Sequence, residues 1–423
     1  MDYHIDTKAI QSGWKPKNKE PRVLPIYQST TFKYDSGETV GRLFNLEEEG
    51  FFYTRLANPT VDAVERKLAD MEGGVGAMLT SSGQAASFIA VLNICEAGDH
   101  FISSASIYGG TFNLFAVTMK KMGIDVTFID QNATEEEIQS AFRPNTKAIF
   151  GETISNPTLH VFDIEKFAKI AHKNNVPLIV DNTFATPVLC RPISYGADIV
   201  VYSASKYLDG HAVALGGAIV DSGNFDWNNG KFPSFTTPDE SYHGIIYTET
   251  FGKSAYIAKA RAQLMRDLGC MISPQNAFLI NLGMETLPLR MERHSKNALE
   301  IAKFLNSHKK ISWVNYPGLE GNADYRLAEK YLTKGASGVV SFGIAGGREA
   351  AAKFMDTLSL ASIVVHVADA RTGVLHPASS THRQLSDKQL EESGVVPELV
   401  RLSVGIEHAG DIIADITQAL EKC

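Results

Sequence analysis

An apolar run, Ile199-Val-Val-Tyr202, stops at Ser203, and the chain continues Ala204-Ser205-Lys206. That punctuation places an amine at the mouth of a sheet, beside hydroxyls able to donate to a phosphate. Such a lysine is suited to form a Schiff base with an aldehyde cofactor. Standing alone, Lys206 reads more readily as a solvent-facing lysine after a buried strand. Ser203 and Ser205 on either side tilt the reading toward chemistry.

Other residues supply the rest of a site for pyridoxal 5'-phosphate (PLP). Pro177-Leu-Ile-Val-Asp181 is an apolar strand ending in a carboxylate. An anion there keeps a pyridine nitrogen protonated and the ring an electron sink; the plainer role is capping the next turn. Ser82-Gly83-Gln84 opens a helix after a strand, where backbone N–H groups and the helix dipole attract a phosphate. Tyr108 offers a ring to stack on a flat cofactor, or is a half-buried turn residue. Arg401, far down the chain, suits bidentate binding of a substrate carboxylate; the alternative is an interdomain salt bridge. The G-x-G-x-x-G fingerprint is absent, which argues against a nicotinamide oxidoreductase. A silent scaffold would not need Lys206, Asp181, Tyr108 and Arg401 together. His376 and His382 invite a metal reading, but Pro377 breaks their spacing and no carboxylate or thiol accompanies them. No metal is expected, and the stretch reads as an active-site loop.

The elements that must position these residues alternate. Strands are predicted at 77–80, 100–103, 126–129, 148–150, 178–180 and 199–202. Helices are predicted at 84–95, 111–122, 135–142 and 164–174. Asn58 and Pro59 open an earlier helix that stops at Gly73. This is an α/β pattern with a mainly parallel sheet, which binds ligands beyond the carboxyl ends of its strands. A loop is expected from 221 to 243, a helix over 287–305, and strands near 339–342 and 399–404. The expected division is an extended N-terminal arm (1–57), a large cofactor domain (58–270) and a smaller α+β domain (271–423). Pro16, Pro21 and Pro25 give the arm its extended character.

The 423 residues are 44% hydrophobic and 21% charged, which is globular composition. A net charge of −8 without a basic tract argues against a nucleic-acid partner, and none is expected. No apolar run approaches a membrane span, and residues 1–8 do not read as a signal peptide. The expected location is the cytoplasm. Four cysteines, none in a C-x-x-C pair, fit neither a zinc site nor a disulfide framework. Cys95 and Cys190 read as packed thiols.

From about residue 7 to 417 these motifs resemble the Cys/Met-metabolism family of PLP enzymes. The resemblance implies a fold-type I, aspartate aminotransferase-like architecture and a homotetramer built from active dimers. It makes Lys206 the Schiff-base lysine and Asp181 the pyridine-nitrogen partner. Ser82, Gly83, Gln84, Ser203 and Ser205 become the phosphate cradle, Tyr108 the stacking ring and Asn156 a neighbour of the 3'-oxygen. Arg401 becomes the carboxylate binder, while Tyr53 and Arg55 reach the neighbouring subunit's phosphate. The segments 44–50, 232–243 and 368–382 are similar to the branch that exchanges the acetyl group of O-acetylhomoserine for sulfide. The implied reaction is γ-replacement on an amino-acid substrate; γ-elimination from a thioether such as methionine, or cystathionine-type chemistry, is the alternative. Ala212, His366 and Gly373 depart from the family pattern, His366 standing where asparagine is frequent. They are expected near the substrate.

Overall fold

Neighbouring residues of a strand face opposite ways, so a strand that is apolar throughout must be covered on both faces. The structure, a computed structural model, describes residues 2–380 and 396–423. Its larger sheet contains β1 (Gly76–Thr80), β2 (His100–Ser104), β3 (Asp125–Ile129), β4 (Thr146–Glu152), β5 (Leu178–Asp181), β6 (Ile199–Tyr202) and β7 (Gly217–Asp221). The spatial order is β1-β7-β6-β5-β4-β2-β3. Every pair from β6 across to β3 is parallel. Leu178, Val180, Val200 and Tyr202 pack into one core, and Ile179, Ile199 and Val201 into a second on the opposite face.

β7 is antiparallel to both of its neighbours and is the strand by which β1 joins the sheet. The sequence reading missed it, because Gly216-Gly217 reads as punctuation. The loop expected after it begins in that strand, and its aromatics fold inward. Trp227 stacks on Phe235 at 4.5 Å and on Tyr256 at 5.3 Å between ring centres.

The N-terminal stretch is not extended throughout, since it holds α1 (Ile5–Gln11) and α2 (Gly37–Phe44). Ile5 and Ala9 are buried within the chain itself, where α1 packs on α3 (Pro59–Glu72). α3 begins as predicted: Asn58 Oδ1 accepts from Thr60 N at 2.9 Å, Pro59 takes the first turn, and Gly73 ends it at φ 85°. α4 (Gly83–Leu92) follows β1. The helix predicted over 111–122 is instead α5 (Gly109–Asn113), a π turn to Thr118 and a 3₁₀ turn to Met122. α6 (Glu135–Ser140) and α7 (Ile164–Lys173) complete the crossovers.

The second sheet runs β10 (Ser362–Ile363), β11 (Gly373–Leu375), β12 (Leu399–Ser403), β9 (Val339–Ile344), β8 (Ile311–Asn315) in space. The 20-residue helix Leu287–Asn306 packs on β8 and β9 and on the short helix Thr186–Leu189 beside the larger sheet. One apolar cluster is therefore continuous between the two sheets. Among the described residues no helix is long and apolar enough to cross a membrane. Cys95 and Cys190 are buried free thiols, as expected.

Candidate active site

A cavity of about 240 Å³ opens beyond the carboxyl ends of β1, β4, β5 and β6. Ten of the twelve residues singled out from sequence line it: Ser82, Gly83 and Gln84; Tyr108 and Asn156; Asp181, Ser203, Ser205 and Lys206; and Arg401. Tyr53 and Arg55 do not. Arg55 lies over the Tyr53 ring at 5.5 Å and donates to the Arg266 carbonyl, away from the cavity. Tyr53 is 43% exposed.

One wall is made by two turns. Ser82 caps α4, its Oγ accepting from Ala85 N at 3.1 Å, which leaves the first N–H groups of the helix facing the cavity. Gly83 lies against the turn after β6: a Cβ there would stand 2.6 Å from the Ser203 Cβ. Only glycine allows that approach. Ser203 N donates to Thr183 Oγ1 at 2.8 Å, tying the turn after β6 to the turn after β5. Gln84 Oε1 accepts from Thr111 Oγ1 at 3.0 Å. The Ser205 hydroxyl is turned to Gly216, donating to its carbonyl at 3.2 Å and accepting from its N–H at 2.9 Å. Gly83→Ala is expected to force these turns apart at about 1–3 kcal/mol, the usual overpacking range. Melting temperature and cofactor release, measured together, check this; an unchanged pair of values would contradict it.

The floor is acidic. Parallel pairing sets Glu152, the last residue of β4, beside Asp181, the last of β5. Burial pushes Asp181 up to about 6, although Thr183 N–H donates to it at 2.9 Å. Burial, and then the adjacent Asp181, push Glu152 well above the usual carboxylate range. Glu152 Oε1 accepts from Tyr108 N at 2.7 Å, which places that tyrosine at the rim. Among the described residues no lysine or arginine forms an ion pair with Asp181.

The cationic side comes from two sheets. Burial, with Arg401 nearby, lowers Lys206 to about 8. Its Nζ lies 3.2 Å from His366 Nδ1. Arg401, on β12, is buried, and burial lowers it to about 10. It donates to Asn156 Oδ1 at 3.0 Å and to the Val365 carbonyl at 3.2 Å, and its Nε has no partner. Among the described residues it forms no salt bridge.

Sequence reasoning missed Glu152 and Thr183. Glu152 carries the same signal as Asp181, an apolar strand ending in a carboxylate, but the strand was stopped two residues early at Phe150. Of the three departures only His366 lines the cavity; Ala212 and Gly373 lie outside it. A Cβ at Gly373 would stand 2.7 Å from Val364 Cγ2, so packing against the residue that follows β10 explains that glycine. His376 is structural rather than part of an active-site loop. Its Nδ1 meets Ser379 Oγ at 2.7 Å and its Nε2 the Pro397 carbonyl at 2.6 Å. His382 lies outside the described residues.

Fold and cavity define an α/β enzyme whose cofactor-sized site lies at the carboxyl edge of a parallel sheet. The profile of the Cys/Met metabolism PLP-dependent enzymes matches residues 6–421, and the chain belongs to that family. It is 47% identical to the O-acetyl-L-homoserine sulfhydrylase of Leptospira meyeri over all of this chain and 97% of that one. It is 45% identical to the homocysteine synthase of Schizosaccharomyces pombe, covering 99% and 98% of the two chains. A Campylobacter jejuni crystal structure, assigned as an O-acetylhomoserine (thiol)-lyase, superposes with a TM-score of 0.96 at 39% identity. It covers 99% of this chain and 100% of that one, and carries a pyridoxyl phosphate on a lysine. The architecture is fold-type I, and PLP is the cofactor.

The residues present fit that group. Gly83 lets the turn at the N-terminus of α4 pack directly on the Ser203 turn, so that both line the cavity at a helix N-terminus suited to a phosphate. Asp181 is a half-buried carboxylate with no cationic partner among the described residues, as a protonated ring nitrogen requires. Lys206 is the amine lining the same cavity.

Proposed function

We propose that this chain catalyses γ-replacement, in which O-acetyl-L-homoserine and sulfide give L-homocysteine and acetate. The observation that carries this reading is the meeting, in one cavity, of a half-buried lysine, a half-buried carboxylate that has no cationic partner among the described residues, and a buried arginine from the second sheet. The relatives named for this reaction, similar over nearly their whole length, support it.

When bound, PLP supplies an electron sink for charge developing at Cα. Lys206 would hold the cofactor through its Nζ, and the same amine, when free, would take the Cα proton. Ser82, Gly83, Gln84, Ser203 and Ser205 would hold the phosphate, and Asn156 would serve the ring oxygen. Asp181 would pair with the ring nitrogen, and Tyr108 would stack on the ring and assist proton transfer. Arg401 binds the substrate carboxylate, exchanging its Asn156 and Val365 contacts for a bidentate pair. The protein acts in the cytoplasm in methionine and cysteine metabolism. Supplying acetylhomoserine and sulfide to the purified protein tests the reading. Homocysteine and acetate should appear together; 2-oxobutyrate as the main product would establish γ-elimination instead.

The site is completed by a second copy of the chain. In this reading residues 1–57 form an arm on the large domain (58–270), residues 271–423 form the smaller one, and active dimers pair into a homotetramer. Tyr53 and Arg55 then reach the partner's phosphate. Their distance from this chain's own cavity supports that, as do the exposed Val213 and Leu215 beside the Lys206 turn. Arg55→Ala and Lys206→Ala variants, each impaired alone, should regain about a quarter of wild-type activity when their subunits are mixed, because mixed dimers keep one intact site. Activity no higher than the average of the two variants would disprove sharing.

A further inference from the structure

Behind the cavity, on the other face of the larger sheet, a row of buried polar side chains has no part in the reaction so far described. Neighbouring residues alternate faces, so Glu152, Asp181 and Ser203 line the cavity. Thr153, Asn182 and Tyr202, each one residue along the chain, turn to the core that holds Val180 and Val200. Thr153 Oγ1 donates to Asn182 Oδ1 at 2.8 Å. Asn182 Nδ2 donates to the Cys190 carbonyl at 2.9 Å and to the Tyr202 hydroxyl at 3.0 Å. The Tyr202 hydroxyl in turn donates to Glu72, the last residue of α3. All four side chains belong to residues at most 1% exposed. A carbonyl only accepts, so Cys190 fixes which way the Asn182 amide points, and every link then donates toward Glu72. Burial pushes Glu72 up to about 8, against Tyr202, Arg191 and the Ile193 backbone, so near neutrality the row ends on a neutral acid.

We propose that Thr153, Asn182, Tyr202 and Glu72 are positioning residues, whose row aims the Asp181 carboxylate at the cofactor's ring nitrogen. Asn182 is the chain neighbour of Asp181, and its amide is held from the end of β4 through Thr153 and from the end of β6 through Tyr202. The main chain is tied at the same level: Thr153 N donates to the Asp181 carbonyl and Asn182 N to the Val201 carbonyl, both at 2.9 Å. The backbone of Asp181 therefore cannot rotate, and only its own side-chain torsions stay free. On the cavity side Asp181 has little to hold it, since its hydrogen bonds among the described residues are to Thr183 alone. A charge that must meet the ring nitrogen without reorganising needs such support from behind. Glu72 closes the row because it offers an acceptor where an apolar side chain would leave the buried Tyr202 hydroxyl unsatisfied.

The proposal rests on Asp181 being the partner of the ring nitrogen. Asn182→Ala removes the central links of the row. Titration of PLP into the cofactor-free variant, followed by its visible absorbance, should show binding about tenfold weaker than in wild type. In the loaded enzyme kcat should fall about tenfold with KM changed less than about threefold. Added to Asp181→Asn, the same change should cost less than about twofold in either quantity, because the group it positions is already gone. Tyr202→Phe keeps the ring's packing and should follow the same pattern at about fivefold, which decides the matter if Asn182→Ala does not fold. Glu72→Gln keeps an acceptor for Tyr202 and should stay within about twofold of wild type; a loss equal to that of Tyr202→Phe would remove Glu72 from the row. Equal losses with and without the Asp181 carboxylate would make the row structural only and overturn the proposal, as would wild-type binding and turnover in Asn182→Ala. Failure of the parent reading looks different, since Asp181→Asn alone would then match wild type in both.

Discussion

Lys206→Ala is expected to abolish the visible absorbance of lysine-bound cofactor and to lower kcat by about 10³-fold or more, at the upper end of losses for a positioned acid–base group. Two roles are lost at once, the covalent anchor and the base for the Cα proton. The fold should survive, because among the described residues the amine's only hydrogen-bonding partner is His366 and the strand before it is held by apolar packing. The cofactor should still be retained weakly, since the Gly83 and Ser203 turns are untouched. A spectrum and turnover matching wild type would sink the assignment; loss of both with an unchanged melting curve would establish it.

Asp181→Asn should separate stability from catalysis. The ring nitrogen loses its anion, and kcat is expected to fall by about 10²-fold or more, the scale of one preorganised electrostatic contact. The cofactor-free protein should respond in the opposite direction. Burial raises the folded-state value of Asp181 from 3.8 to about 6, so the folded chain binds more protons than the unfolded chain between those values. Stability from this group is therefore full below about pH 4 and is lost as pH rises through 6. At pH 7–8 the buried charge is a liability, and Asn should stabilise the cofactor-free protein by about 1–3 kcal/mol. Melting of cofactor-free wild type and variant at pH 5 and pH 8 checks this. An advantage for the variant that does not grow with pH would refute it.

Most of the cavity was legible because its residues sit where apolar runs end. Lys206, Asp181 and the Ser82 turn follow buried strands, and hydrophobic patterning locates strand ends well. Arg401 was legible only by type, because nothing local indicates that β12 carries it to the other sheet's edge. Glu152 was lost to a strand end misplaced by two residues. β7 was hidden by its glycines, and with it the antiparallel join to β1. The arm was misread in part because its prolines mask α1, whose burial of Ile5 and Ala9 depends on helices far along the chain. Long-range packing of that kind leaves no local periodicity to read.

The join through β7 also has a temporal meaning. β1 touches the rest of its sheet only through β7, so the Ser82 turn cannot meet the Ser203 turn until Gly217–Asp221 is inserted between their strands. The phosphate seat is a long-range product of the chain, and such contacts form late. During synthesis a nascent chain stopped short of residue 221 would hold Lys206 and every hydroxyl of the cradle and yet have no seat. Capture of the cofactor thus reports that the sheet has closed.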